Sequence, residues 1–151
     1  MQTSFDLTKP VAIGSDHAGY EYKMGLINWL KEKGIPIIDL GVHENKSVDY
    51  PDYAHPVAEK VEKGESAFGV LICGTGNGVC MTANKHQHIR AAMCWDSDVT
   101  RLVRQHNDAN IICFPARFIA LELAKGLLEI FIETPFEGGR HARRVDKISC
   151  A

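Results

Sequence analysis

The run Cys73-Gly74-Thr75-Gly76-Asn77-Gly78 sets a thiol directly before three glycines at spacing two and two. Glycines spaced this way let the backbone turn tightly, so that several N–H groups converge at a helix N-terminus and can hold a phosphate or an oxyanion. A plain strand-to-helix turn is the simpler reading. A helix N-terminus also favours negative charge beside it, so a Cys73 thiolate could serve there as nucleophile or base. Against this stands the habit of free cysteine to be buried as a small hydrophobe, the role assigned to Cys80, Cys94, Cys113 and Cys150. The second chemical signal is Glu137-Gly-Gly-Arg-His-Ala-Arg-Arg-Val. Arg140 and Arg144 are four apart and share one face of a helix, with a histidine between them. Paired guanidiniums suit a phosphate monoester dianion, while a solvated basic tail is the alternative. His17 and His106 fall in polar clusters of the kind expected where a sheet binds ligands, and His43 and His55 read as solvated. His86-Gln-His88 lacks a further ligand at a recognised spacing, so no metal is expected.

Such residues need strand ends and helix starts to gather them. Short apolar runs at 11–14, 35–40, 68–73, 89–94 and 109–114 read as strands, with 68–73 the most apolar and central. Helical periodicity fills 18–33, about a dozen residues ending near Gly64, 79–86, and 96–106. A last long helix carries the apolar series Ala116, Ile119, Ala120, Leu123, Ala124, Leu127, Leu128 and Phe131. Strands alternating with helices predict right-handed βαβ crossovers and a parallel sheet covered on both faces. Ligands then bind beyond the C-terminal strand ends at a switch point, which singles out Asp16-His17, the glycine run, Trp95-Asp96 and Arg117.

The 151 residues carry a net charge of −2, which excludes a protein that coats nucleic acid or an anionic membrane. That total hides a distribution, because the last twelve residues carry +3 and the others −5. One domain over 1–151 is expected, able to bury roughly 70% of the unfolded chain's surface. Five cysteines with no CxxC pair read as reduced thiols in a cytoplasmic protein. The first ten residues lack the pattern of a secretory signal, and no apolar stretch reaches membrane-spanning length. Three known motifs fail. The spacing G-x-G-x-G after the third strand is not a dinucleotide fingerprint, no Gly-Lys-Ser/Thr completes a P-loop, and Val79 stands where a cysteine phosphatase loop needs arginine.

Taken in order, G-S-D-H-A-G (14–19), D-Y-P-D-Y-A (49–54), L-I-C-G-T-G-N-G (71–78) with A-N-K (83–85), R-Q-H-N-D-A-N (104–110) and E-G-G-R-H-A-R-R-V (137–145) resemble the type B ribose-5-phosphate isomerases and their relatives, the allose- and galactose-6-phosphate isomerases. The resemblance runs from Val11 to about Ile148. It implies a three-layer α/β/α fold with a five-stranded parallel sheet of order 2-1-3-5-4. It also implies interconversion of ribose 5-phosphate and ribulose 5-phosphate through a cis-enediolate, without metal or cofactor, in the non-oxidative pentose phosphate pathway. By the same resemblance Cys73 moves the proton between C2 and C1, Thr75 assists transfer between the two oxygens, and His106 opens the sugar ring. Asp16 holds sugar oxygens and Tyr50 lines the sugar site. The N–H groups of Gly74, Thr75, Gly76, Asn77 and Gly78 stabilise the enediolate with the Asn107 side chain, and His17, Arg117, Arg140 and Arg144 hold the phosphate. The basic segment 137–151 thus contributes to the site. Some members carry a glutamate where Val79 stands, so the chain resembles the cysteine-base subtype, and Cys80 replaces a common serine. Relatives form dimers or tetramers with shared sites, His106 and Asn107 facing a neighbour's Cys73. The alternatives are the same chemistry on allose 6-phosphate or galactose 6-phosphate, and a non-catalytic sugar-phosphate-binding protein.

Overall fold

A computed structural model of the chain describes residues 1–150. Its strands are β1 (Val11–Ser15), β2 (Ile37–Asp39), β3 (Gly69–Cys73), β4 (Ala91–Met93) and β5 (Ile111–Pro115). All pairs are parallel, in the order β2-β1-β3-β5-β4. The expected order and the central place of the third strand are both observed. β1, β3 and β5 are buried along their whole length, as continuous apolar runs in a doubly covered sheet must be. The helices are α1 (Tyr20–Glu32), α2 (Pro51–Glu62), α3 (Asn77–Ala83), α4 (Ser97–Asn107), α5 (Leu121–Glu133) and α6 (Arg140–Val145).

Side chains that alternate along the strands divide the core in two. Val11, Ile13, Val70, Ile72, Ile112 and Phe114 meet Leu26, Leu30, Leu127 and Phe131 of α1 and α5 on one face. Ala12, Leu71, Cys73, Ile111 and Cys113 meet Val57 of α2 and Val79 and Ala83 of α3 on the other. The N-terminal residues ahead of β1 join the first layer. Phe5 packs on Phe68 and Phe131, with ring centroids 4.7 and 5.6 Å away.

Three helix starts differ from the periodicity, and competing partners for backbone N–H groups explain two of them, α1 and α5. α1 is preceded by a 3-10 turn at His17–Gly19, because the Asp16 carboxylate accepts the Gly19 N–H at 3.1 Å. α5 begins at Leu121 and not at Ala116. The N–H groups of Ala116 and Arg117 donate instead to Cys73 O and Gly74 O, at 2.9 and 3.0 Å. That pairing extends the β3–β5 ladder into the glycine run and brings Arg117 beside it. α3 starts two residues earlier than expected and ends at Ala83.

Candidate active site

Cys73 closes β3 with 5% of its surface exposed, and its sulfur accepts the Gly76 N–H at 3.2 Å. Gly76 caps α3 at φ 78°, a left-handed backbone that glycine adopts freely, and this turn aims the N–H back at the sulfur. The Thr75 hydroxyl accepts the Asn77 N–H at 3.2 Å. The N–H groups of Gly78 and Val79 fall in the first turn of α3 and have no acceptor within the helix. The glycine run is therefore a donor-rich helix start, with the thiol held against it.

An open cleft of about 440 Å³ lies over this turn, bordered by Asp16, His17 and Tyr50 from one side and by Cys73, Gly74, Thr75, Gly78 and Arg117 from the other. Asp16 is 8% exposed and caps Gly19 through one oxygen, which leaves the other for a ligand. His17 accepts the Val48 N–H through Nδ1 at 3.4 Å, so Nε2 is free to donate. A Cβ on Gly78 would collide with the Tyr50 ring, so only glycine lets that ring lie over the helix start. The Arg117 side chain runs past Gly74, its Nε 3.2 Å from where a Cβ would stand. The exposed Arg117 guanidinium has no ion-pair partner among the described residues. This half offers a thiol, a carboxylate, an imidazole and a guanidinium around a group of N–H donors.

His106, Asn107, Arg140 and Arg144 are elsewhere in the chain. α4 begins at the C-terminal strand edge, where the Asp96 carboxylate caps the N–H groups of Asp98 and Val99 at 2.9 and 3.0 Å. Asp96 thus acts as the N-cap of α4. A helix after a parallel strand runs back along the sheet, here for 11 residues or roughly 16 Å. It ends at the N-terminal edge, where Arg90 Nε donates to Asn107 O and Asp108 O at 3.1 and 2.9 Å. Asn110 there accepts the Gly69 N–H that opens β3. The expectation that His106 sits at the ligand-binding edge with His17 is corrected: within one chain it lies at the opposite edge from Cys73.

His106 has its own surroundings. The ring of His141, 7% exposed, stacks on it with centroids 4.1 Å apart and planes at 12°. Glu137 Oε2 lies 4.0 Å from His106 Nε2 and 3.6 Å from His141 Nε2. Burial, and then the positive charge of His106 and Arg140, hold the His141 imidazole below its usual pKa despite Glu137. Arg140 and Arg144 are on α6, exposed and without ion-pair partners among the described residues. Asn107 borders a cavity of about 500 Å³ with Arg90 and the C-terminal residues Ile148 and Ser149. Glu137 and His141 were missed as companions of His106, although Glu-x-x-x-His at 137–141 was the available signal. The His86 ring bonds to His55 Nδ1 at 2.8 Å and to Glu62 at 3.1 Å. All five cysteines are free.

No helix among the described residues is long and apolar enough to cross a membrane. A family model described as Ribose/Galactose Isomerase matches residues 11–148. The chain is 43% identical to ribose-5-phosphate isomerase B of Escherichia coli strain K12, over 93% of this chain and 95% of that protein. It is 44% identical to a probable ribose-5-phosphate isomerase B of Mycoplasma pneumoniae, over 94% of each. The solved ribose 5-phosphate isomerase of Thermotoga maritima superposes with a TM-score of 0.92 at 47% identity, covering 95% of this chain and 99% of that one. The Mycoplasma genitalium ribose-5-phosphate isomerase B, solved with bound ribulose-5-phosphate, gives 0.90 at 40% identity, covering 95% of both.

Proposed function

The chain belongs to the ribose/galactose isomerase family, and from that premise we propose that it interconverts ribose 5-phosphate and ribulose 5-phosphate through a cis-enediolate, with Cys73 carrying the proton. The observation that supports this most directly is the Cys73 sulfur lodged under the Gly76 N–H at 3.2 Å, inside a cleft that also holds Asp16, His17, Tyr50 and Arg117. The Cys73 thiolate takes the C2 proton of the open-chain aldose and returns it to C1, while Thr75 carries a proton between the two oxygens. The N–H of Gly78, left without an acceptor at the start of α3, faces the oxygen that gains charge, while those of Gly76 and Asn77 hold the Cys73 sulfur and the Thr75 hydroxyl in place. Donors of this kind, held in place before the charge appears, contribute roughly 3–4 kcal/mol each to such a step. His17 and Arg117 take the phosphate from the cleft side.

The remaining roles need a second copy. His106 opens the ring, the Asn107 side chain supports the enediolate, and Arg140 and Arg144 close on the phosphate. All four lie at the edge of the sheet opposite Cys73, so one chain leaves its cleft incomplete. We place them in the cleft of a partner copy in a dimer or tetramer, a cytoplasmic enzyme with one catalytic domain per chain.

Purified protein in EDTA should interconvert the two pentose phosphates, and allose 6-phosphate and galactose 6-phosphate should give lower kcat/KM. Cys73→Ala should lower kcat by about 10²–10⁴, while ribose 5-phosphate binding, followed by calorimetry, survives. Unchanged turnover in that variant removes Cys73 from the reaction.

A further inference from the structure

We propose that the ion pair Lys23–Asp39 is a positioning device that holds the Asp16, His17 and Tyr50 wall of the cleft in place for the sugar phosphate, a role that rests on the isomerase function proposed above. Lys23 is 0% exposed, and its ammonium donates to both oxygens of Asp39, at 2.7 and 2.8 Å. Contact with both oxygens fixes the plane of that carboxylate. Asp39 ends β2, an edge strand of three residues, and 25% of its side chain is exposed. A lysine taken fully out of water loses hydration that one ion pair barely returns, so the pair is a poor stabiliser. The better-attested use of a buried charge is to select one register.

The pair joins the two segments that build this wall. Lys23 is on α1, which follows directly from the turn that Asp16 caps and His17 begins. Asp39 opens the segment that leads to Val48 and Tyr50. Besides the lysine, Asp39 Oδ1 accepts the Gly41 N–H at 3.0 Å. Glycine at φ 99° has no strong preference for this conformation over others, so the carboxylate selects it. Gly41 O then accepts the Ser15 N–H at 2.8 Å, and the Val42 N–H donates to Ser15 O at 3.0 Å. Ser15 is buried and directly precedes Asp16. Farther along the same segment, the Val48 N–H donates to His17 Nδ1 at 3.4 Å, and Tyr50 borders the cleft. Cys73 stands outside this chain of contacts, its sulfur held from β3 by the Gly76 N–H. The pair therefore acts on how the sugar phosphate is held and leaves the base alone.

Two double variants separate this role from stability. Lys23→Met/Asp39→Leu and Lys23→Met/Asp39→Asn both remove the two charges, and replacing a buried pair by groups of similar volume is often neutral for folding. Only asparagine keeps an oxygen for the Gly41 N–H. Misplacement by about 1 Å far from the chemistry can cost about 10²-fold, so the leucine double should raise KM for ribose 5-phosphate by about 10- to 100-fold. Its kcat should stay within about threefold of wild type, the pattern of lost binding rather than lost chemistry. The asparagine double should bring KM back to within about fivefold of wild type. Lys23→Met alone leaves a part-exposed carboxylate that water can solvate, so it folds, and unclamping Asp39 should raise KM by about threefold or more. His43→Ala, which removes the ring 3.9 Å from the outer Asp39 oxygen, should leave KM unchanged. Calorimetry with ribose 5-phosphate should rank the variants in the same order, and iodoacetamide should alkylate Cys73 at the wild-type rate in each. A wild-type KM in the leucine double, or equal losses in the leucine and asparagine doubles, overturns the positioning role. An unchanged KM in Lys23→Met removes the lysine from it. Wild-type protein that binds ribose 5-phosphate in EDTA without isomerising it refutes the isomerase function, while the calorimetric ranking still decides the positioning role.

Discussion

Cys73 sits at the mouth of a cleft with a backbone N–H on its sulfur, whereas Cys94 and Cys113 are wholly enclosed one strand or two away. Burial pushes the Cys94 thiol up to about 11. Burial, and then the neighbouring Cys80, raise the Cys113 thiol as well. The burial expected of the other cysteines holds for Cys94 and Cys113 but is corrected at the half-buried Cys80 and the exposed Cys150. One residue type therefore has more than one chemistry, and both the Cys73 environment, through the glycine spacing that follows it, and the burial of Cys94 and Cys113 were legible in the sequence. The His106 environment was not, because a histidine at a helix end carries no mark of which strand edge that end reaches. The enclosed thiols predict an alkaline instability. The Cys94 pKa is raised in the fold, so its contribution is intact below the unfolded value of 9.0 and lost as pH rises through about 11. That shift corresponds to about 3 kcal/mol at most. Urea unfolding at pH 8, 9.5 and 10.5 should show wild type losing stability faster than Cys94→Ala across that range. Parallel curves would show that Cys94 does not ionise on unfolding there.

Helices α4 and α6 carry His106, Asn107, Arg140 and Arg144, and one buried side chain fixes the end of α4. Arg104, 2% exposed, donates to Thr134 O at 3.1 Å, Ala109 O at 2.6 Å, Asp108 at 3.0 Å and Ser4 Oγ at 3.1 Å. Its guanidinium also lies 4.3 Å from the Phe5 ring centroid. It thereby joins the N-terminal residues, the end of α5 and the left-handed Asp108 to the turn that carries His106 and Asn107. Burial lowers the Arg104 pKa, with Asp108 opposing that shift. Arg104→Met keeps the volume but strands two buried carbonyls, which should cost about 3 kcal/mol in urea unfolding. The turn it holds bears His106, so kcat should fall in the same variant at temperatures where it stays folded. A loss below about 1 kcal/mol would mean that water satisfies those carbonyls. At this scale periodicity revealed every strand and the five long helices. It misplaced the starts of α1, α3 and α5, and at α1 and α5 the Asp16 carboxylate and the Cys73 and Gly74 carbonyls claim N–H groups that a helical wheel cannot weigh.

The whole chain holds Cys73 and His106 at opposite edges of one sheet, and the basic C-terminal segment lies with the histidine. Folding alone cannot bring them together, because α4 must run back along the sheet to reach β5. The net charge of −2, with +3 in the last twelve residues, follows the same division. Each copy carries one exposed arginine at its cleft, Arg117, and two on α6, Arg140 and Arg144. The proposed pairing, a twofold that sets the far edge of each copy over the other's cleft, would complete two equal sites. Such a site can be tested with two inactive variants. In a mixed dimer of Cys73→Ala and His106→Ala, one site takes both defects and the other receives an intact cysteine and an intact histidine. Random reassociation of equal amounts makes half of the dimers mixed, each with one working site of two, so activity should return to about a quarter of wild type. The recovery should appear only after dissociation and refolding of the mixture, and should scale with the mixed fraction resolved by a charge tag on one variant. If each chain completes its own site, the reassociated mixture stays as inactive as its parents.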